Sequence, residues 1–177
     1  FGMAGNIFFI AYALIVKAYP VLLTNGILLA INGYYCYKLL NLKEDFELME
    51  FSGKEKLIQK FLFFYKADIE SYFPEFKNEQ LEGSLNFVVL RNLVIANIFS
   101  VKIDEEGKGE VLLNYTVPKF RDFKIGTFIF EREKEFLKNN GVKYLHYSKV
   151  ENKNHIQFLQ KMNFLKADTG FTKDLQQ

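Results

Sequence analysis

At Pro118 the apolar period of this chain changes from two to nearly four, and few folds accommodate that switch within one short stretch. Val111, Leu113, Tyr115 and Val117 alternate with Leu112, Asn114 and Thr116, the pattern of a strand with one apolar face. Pro118 ends that strand, because proline offers a ladder no donor and turns the residue before it away from helix. Beyond it, Ile125, Phe128, Ile129, Phe136 and Leu137 fall on one helical face, with Glu131, Glu133, Lys134 and Lys138 elsewhere. A helix therefore starts near Lys124. Its first backbone N–H groups have no partner inside the helix, and with the positive end of the dipole they make residues 121–127 a potential anion site.

The flanking sequence extends this unit in both directions. Three strands are expected in succession, at Leu85–Leu90, Leu93–Ile103 and Glu110–Val117. Arg91-Asn92 is the first turn, and Asp104 to Gly109, with two glycines, connects the next pair. That is an antiparallel meander. After the helix from Lys124, Asn139-Asn140-Gly141 supplies a stop, glycine taking the left-handed cap. Val142–Val150 reads as a strand that crosses over this helix and so lies parallel to the Glu110 strand. A helix from about Asn152 to Met162, and strand material at Phe164 and Phe171–Lys173, complete the pattern. Upstream, Asn41–Glu50 is a charged connector. An amphipathic helix follows Ser52-Gly53, with Leu57, Ile58, Phe61, Leu62 and Tyr65 on one face and Ser52/Glu55 at capping-box spacing. A shorter helix, Asp68–Phe73, stops at Pro74; its Tyr72 and Phe73, with Phe76, either line a groove or belong to the core.

Charge is distributed unevenly. Residues 1–42 carry only Lys17 and Lys38, whereas the rest is densely and evenly charged. This shift divides the chain into a segment 1–42 and a domain 43–177. Within the first segment, Phe1–Val16 and Val21–Tyr37 are charge-free and Lys17-Ala-Tyr-Pro20 reads as a turn. A bilayer core needs about 20 apolar residues of helix and no fewer than about 17, so the second stretch qualifies and the first is marginal. The expectation is a membrane helical hairpin, incomplete at its N-terminus, with residues 43–177 on the cytoplasmic side of the basic end at Lys38. Gly26 and Gly33, like Asn25 and Asn32, repeat at seven residues, a surface for helix association and a route to homo-oligomers. A buried helical hairpin is the competing reading.

Other function classes find little support. With 23 basic and 21 acidic residues the net charge is +2, and no Lys/Arg run interleaved with aromatics asks for nucleic acid. The single cysteine, Cys36, excludes an intrachain disulfide and a cysteine metal cluster, and His146 and His155 are too few to argue for a metal site. There is no nucleophile elbow, Walker loop or dinucleotide fingerprint.

The arrangement Val-x-Pro-x-x-Arg-x-x-x-Ile-Gly resembles the acyl-CoA-binding segment of the GCN5-related N-acetyltransferases (GNAT), whose signature is Arg/Gln-x-x-Gly-x-Gly/Ala. Arg121 and Gly126 match its ends, and Lys124 stands at the middle glycine. Asn152-Lys-Asn-His-Ile-Gln-Phe-Leu-Gln-Lys-Met-Asn-Phe164 is similar to the family's Asn-x-x-Ala-x-x-x-Tyr-x-Lys-x-Gly-Phe, with Asn163 in place of glycine. The resemblance covers about residues 45–177 and implies an α/β fold with a mixed, mostly antiparallel sheet. It further implies a splay between the Glu110–Val117 and Val142–Val150 strands that takes the pantetheine of acetyl-CoA or another acyl-CoA. Asn114, Tyr115, Thr116 and Val117 would supply backbone groups to the pantetheine. The amides of Asp122, Phe123, Lys124, Ile125, Gly126 and Thr127 would hold pyrophosphate, with Arg121 and Lys124 adding charge, and Asn152 would touch the cofactor.

The implied activity is N-acyl transfer, most simply acetyl transfer, by direct attack of an amine, which must be deprotonated while the oxyanion is stabilised and the thiolate protonated. Many members of the family protonate the thiolate with a tyrosine where this chain has Leu159. Tyr115, Tyr147 and His146 stand near the implied splay as substitutes, and Glu110 is the nearest carboxylate, so no catalytic residue is assigned. The amine acceptor is open: a lipid amine, a protein terminus, a sugar or a polyamine. Two alternatives stand beside the enzyme: a catalytically inactive binding or sensing module, and an accessory domain of a small membrane transporter.

Overall fold

The computed structural model describes residues 2–40 and 44–176, so residues 41–43 of the expected connector lie outside the description. The chain divides between Glu44 and Asp45 into two compact units.

The first unit is a pair of helices, α1 (Gly2–Val16) and α2 (Tyr19–Leu40). The turn between them is closed by Lys17 in the left-handed conformation (φ 56°), after which the Ala18 amide donates to the Ala13 carbonyl. That is the bond pattern with which helices commonly stop, here without glycine. Pro20 falls in the first turn of α2, where its missing N–H costs nothing. The hairpin is therefore observed, but its expected role is overturned: among the described residues no helix is long and apolar enough to cross a membrane. Fifteen residues of α1 span only about 22 Å at ~1.5 Å per residue, against a hydrocarbon core of about 30 Å. The 22 residues of α2 have the length, but Thr24, Asn25, Gly26, Asn32, Gly33 and four tyrosines dilute them. The Asn25 amide donates to Val21 O at 2.9 Å in its own helix. The membrane placement of residues 43–177 falls with the anchor.

The second unit is a seven-stranded sheet in the order β1-β2-β3-β4-β5-β7-β6, with helices on both faces. Its strands are β1 (Phe46–Glu50), β2 (Leu85–Arg91), β3 (Val94–Ile103), β4 (Lys108–Thr116), β5 (Tyr144–Tyr147), β6 (Leu165–Ala167) and β7 (Gly170–Asp174). Every pairing is antiparallel except β4–β5, as the crossover argument requires. The connector expected at residues 41–50 contributes β1, which adds an edge strand to β2. Phe46 and Leu48 alternate with the exposed Glu47 and Met49, and both pack on the core.

Helices α3 (Lys56–Phe64) and α4 (Lys66–Tyr72) cover one face, where the Phe61 and Tyr65 rings pack against Tyr115. At the start of α3, Glu55 rather than Ser52 occupies the cap position, and its carboxylate accepts from the Ser52 and Gly53 amides. The opposite face carries α5 (Lys124–Thr127), a π-helical segment Phe128–Arg132 and α6 (Lys134–Asn139). Here Phe87, Phe99, Phe130 and Phe136 interlock. One helix is expected over this region; the structure interrupts it with a wider turn, the Glu133 amide donating to Phe128 O five residues back. The widening buries Phe128, Ile129 and Phe130 together, which an uninterrupted α-helix facing one layer does not do. Helix α7 (Lys153–Lys161) ends at Asn163 in the left-handed conformation (φ 59°).

Candidate functional site

The parallel pairing of β4 and β5 lasts three residue pairs, Lys108↔Tyr144, Gly109↔Leu145 and Glu110↔His146. Beyond Glu110 the strands part. β4 continues to Thr116 bonded to β3 on one edge only, so the alternate backbone groups of its other edge, from Val111 to Thr116, are left without a strand partner. β4 then leads through a 3-10 turn, Pro118–Phe120, to the start of α5. The sequence thus builds a slot that is open on one side and ends against the beginning of a helix.

A cleft of about 310 Å³ occupies this place. Asn114, Tyr115 and Thr116 line it from β4, Arg121, Phe123, Ile125 and Gly126 from the loop and α5, and Tyr72 from α4. Of the residues expected at the site, these seven from β4 and α5 converge. Val117, Asp122, Lys124, Thr127 and Asn152 are not among the lining residues. Each has a structural reason. The Val117 amide donates to Ala96 O at 3.0 Å. Asp122 pairs with the buried guanidinium of Arg91, 2.9 Å away, and its other oxygen accepts from the Lys124 amide at 3.2 Å. The Thr127 amide is already in the helix, bonded to Phe123 O. Asn152 caps α7 through its oxygen, accepting from Asn154 and His155 amides, while its amide donates to Ser71 O.

The amides of Ile125 and Gly126 find no protein acceptor among the described residues. They are the part of the expected anion cradle that stays open. The loop adopts its shape without the signature's middle glycine because Phe123, not Lys124, takes the left-handed conformation (φ 67°), a cost of about 1–2 kcal/mol. The parallel rings of Phe123 and Phe158, with centroids 6.4 Å apart, hold it there. Gly126 answers a different need: a Cβ on it would lie 2.6 Å from Met162 Sδ and 2.7 Å from Phe158 Cε2. Close approach of α5 to α7 therefore requires glycine.

Arg121 is not a free cation at the mouth. Its guanidinium is bonded to Asp68 of α4, to Thr116 O at 2.9 Å and to the Tyr72 hydroxyl at 3.2 Å, with Tyr72 and Tyr115 rings beside it. Asp68 also accepts the Tyr115 hydroxyl proton at 2.6 Å. Burial and this carboxylate together push the Tyr115 phenol far above its ordinary value.

Sequence reasoning passed over the fourth wall, formed by Asn154, His155, Gln157 and Phe158 of α7. The available signal was His155, a large polar residue where the resemblance expects alanine. It is 5% exposed, ringed by Tyr72, Phe73, Tyr147 and Phe158. Neither ring nitrogen has a hydrogen-bond partner among the described residues. Burial depresses it to about 4; the nearby Tyr72 carbonyl offsets a little of this without reaching hydrogen-bonding geometry. Leu159 is fully buried. Glu110 stays at the last β4–β5 pair, 3.9 Å from Lys108 Nζ. Tyr147, on β5, accepts from Asn114 Nδ2 at 2.8 Å across the gap. Among the described residues no group of three or more His, Cys, Asp or Glu side chains is arranged to hold a metal ion.

No family model matches this sequence, and no curated protein matches it. Solved structures do match the second unit. A GNAT-family acetyltransferase from Staphylococcus aureus Mu50 aligns at TM-score 0.55 and 14% identity, covering 74% of this chain and 99% of that one. An acetyltransferase from Salmonella typhimurium, which modifies the N-terminal serine of ribosomal protein L7/L12, aligns at TM-score 0.57 and 8% identity over 73% and 94%. The E. coli protein YhhK, solved with coenzyme A bound, aligns at TM-score 0.50 and 16% identity over 75% and 99%. At such identities the likeness is one of fold: the second unit has the mixed α/β, GNAT-like architecture, a mostly antiparallel sheet with flanking helices.

Proposed function

We propose that the second unit binds acyl-CoA in the slot between β4 and β5 and transfers the acyl group, acetyl in the simplest case, to the nitrogen of an amine by direct attack. The observation that carries this reading is the early end of the β4–β5 ladder at Glu110↔His146, which leaves a strand edge open toward the amides of Ile125 and Gly126. An extended pantetheine arm supplies amide groups to such an edge as a further strand would. A diphosphate is suited to unpaired amides at a helix start. The fold shared with acetyltransferases, one of them solved with coenzyme A, supports the same assignment.

In this reading Asn114, Tyr115 and Thr116 flank the pantetheine, and Ile125 and Gly126 hold the diphosphate, with Phe123, Lys124 and the other residues of the turn shaping the loop. Arg121 reaches the diphosphate only by leaving Asp68. The attacking amine must arrive neutral, and the sulfur must leave with a proton. A second reading, a module that binds acyl-CoA without turnover, is favoured by Leu159, which offers the sulfur no proton, and by Asp122, whose carboxylate already takes the Lys124 amide.

Calorimetric titration with acetyl-CoA and thiol release in the presence of amines separate the two. Saturable heat with amine-dependent thiol release is the expected result. Heat without thiol release selects the binding module, and absence of binding refutes both.

A further inference from the structure

In the acyl-CoA reading, which this inference rests on, the thioester lies at the inner end of the slot. From the amides at Ile125 and Gly126 the path runs back along β4, past Thr116 and Tyr115 to Asn114, and closes where β4 and β5 rejoin at Glu110↔His146. A side-chain bridge stands there. Asn114 Nδ2 donates to Tyr147 Oη, 2.8 Å away on the opposite strand.

Asn114 is also engaged from behind. Asn97, fully buried on β3, donates through Nδ2 to Asn114 Oδ1 at 2.8 Å and to Thr116 Oγ1 at 2.9 Å. With its oxygen accepting from Asn97, the Asn114 amide presents its N–H to Tyr147. The phenol oxygen is thereby an acceptor, and its own proton has no acceptor among the described residues. Tyr147 is 2% exposed, and a buried donor left unbonded is unfavourable until a ligand supplies an acceptor.

Of the other side chains near the gap, one phenol is committed and the residue at the family's tyrosine position is apolar. Tyr115 points to the opposite sheet face and gives its proton to Asp68. Leu159 has no polar atom. His155 sets its ring edgewise against Tyr147, with centroids 5.4 Å apart and planes at 87°, which fixes the phenol ring from the α7 side. Burial holds Tyr147 well above the ordinary phenol range, so it is protonated on meeting a ligand, while the Asn114 N–H pulls the other way and eases loss of the proton.

We infer that Tyr147, held by Asn114, meets the sulfur of the bound acyl-CoA and hands it a proton as the thioester breaks. The amine nitrogen bonds to the carbonyl carbon, and the carbon–sulfur bond breaks with its electron pair on sulfur. The phenol proton passes to that sulfur, and the proton shed by the amine nitrogen restores the phenol, so that nothing is consumed. The phenol missing at Leu159 is in this way supplied from β5.

The test compares the full chain with Tyr147→Phe in titrations with CoA and desulfo-CoA, near the pH at which the thiol ionises. The unsubstituted chain is expected to prefer CoA by about tenfold, the size of one hydrogen bond to a charged group. In the variant that preference disappears, with desulfo-CoA affinity unchanged. The bound CoA thiol, followed by its ultraviolet absorbance, ionises at lower pH in the unsubstituted chain than in the variant. Difluorotyrosine at position 147 keeps the fold and moves the alkaline limit of the CoA preference to lower pH. Equal preference in both proteins, or no movement with difluorotyrosine, overturns the role of Tyr147 alone. Failure of the unsubstituted chain to bind CoA overturns the acyl-CoA reading beneath it.

Discussion

Replacing Gly126 with alanine reverses the usual sign of such a change. In an open helix, Gly→Ala stabilises by about 1 kcal/mol because the unfolded chain loses freedom. At Gly126 the new Cβ would meet Met162 Sδ at 2.6 Å and Phe158 Cε2 at 2.7 Å, where ordinary contact begins near 3.4 Å. Both neighbours must retreat by about 0.8 Å. Met162 adapts readily, being flexible. Phe158 is backed by Phe123 and Phe130, so its available direction is the cleft that it lines. Overpacking of this kind costs about 1–3 kcal/mol, which exceeds the propensity gain and leaves a net loss of about 1 kcal/mol. Differential scanning calorimetry should show Tm falling by roughly 3–5 °C. Acetyl-CoA affinity should fall further than the lost stability explains, since the Phe158 ring then intrudes on the slot. Phe158→Leu in the same background should recover both, a coupling of about 1 kcal/mol. A Tm raised by Gly126→Ala would refute the close packing of α5 on α7 and the cleft wall derived from it.

Other expectations concern stability. His155 is depressed to about 4 by burial, below the ordinary value of about 6.5 for an unfolded chain. Its contribution is thus complete above pH ~6.5 and is lost as pH falls toward 4, by up to about 3 kcal/mol; urea midpoints from pH 7 to 4.5 should show that slope, and His155→Phe should flatten it. In the two-residue β2–β3 turn, Asn92 (φ 52°) and Leu93 (φ 63°) are both left-handed, and Leu93 is 80% exposed. Leu93→Gly therefore removes strain without removing packing and should stabilise by about 1 kcal/mol, read as a higher Tm; an unchanged or lower Tm would contradict the turn geometry.

What the sequence determined by itself is what depends on neighbours within a few residues. The alternation from Val111 to Val117, the stop at Pro118 and the change of period at Ile125 dictate strand, turn and helix because side-chain direction repeats every two or every 3.6 residues. Gly141 and Asn163, both left-handed, were legible because few residues tolerate that conformation. A count of charge-free residues located the N-terminal helices but misjudged the second, since polar residues thin out α2. The partners of the site side chains were decided by tertiary structure alone. Asp68 reaches Arg121 across 53 positions and Tyr147 reaches Asn114 across 33. Residues 46–50 become a strand only because β2 presents them an edge. Asn152 caps α7 because the Asn154 and His155 amides at that helix start lie within reach of its side-chain oxygen. Hydrogen bonds and ion pairs act over about 3 Å, and which groups come within that distance is settled by how the sheet brings distant segments together, not by their spacing along the chain.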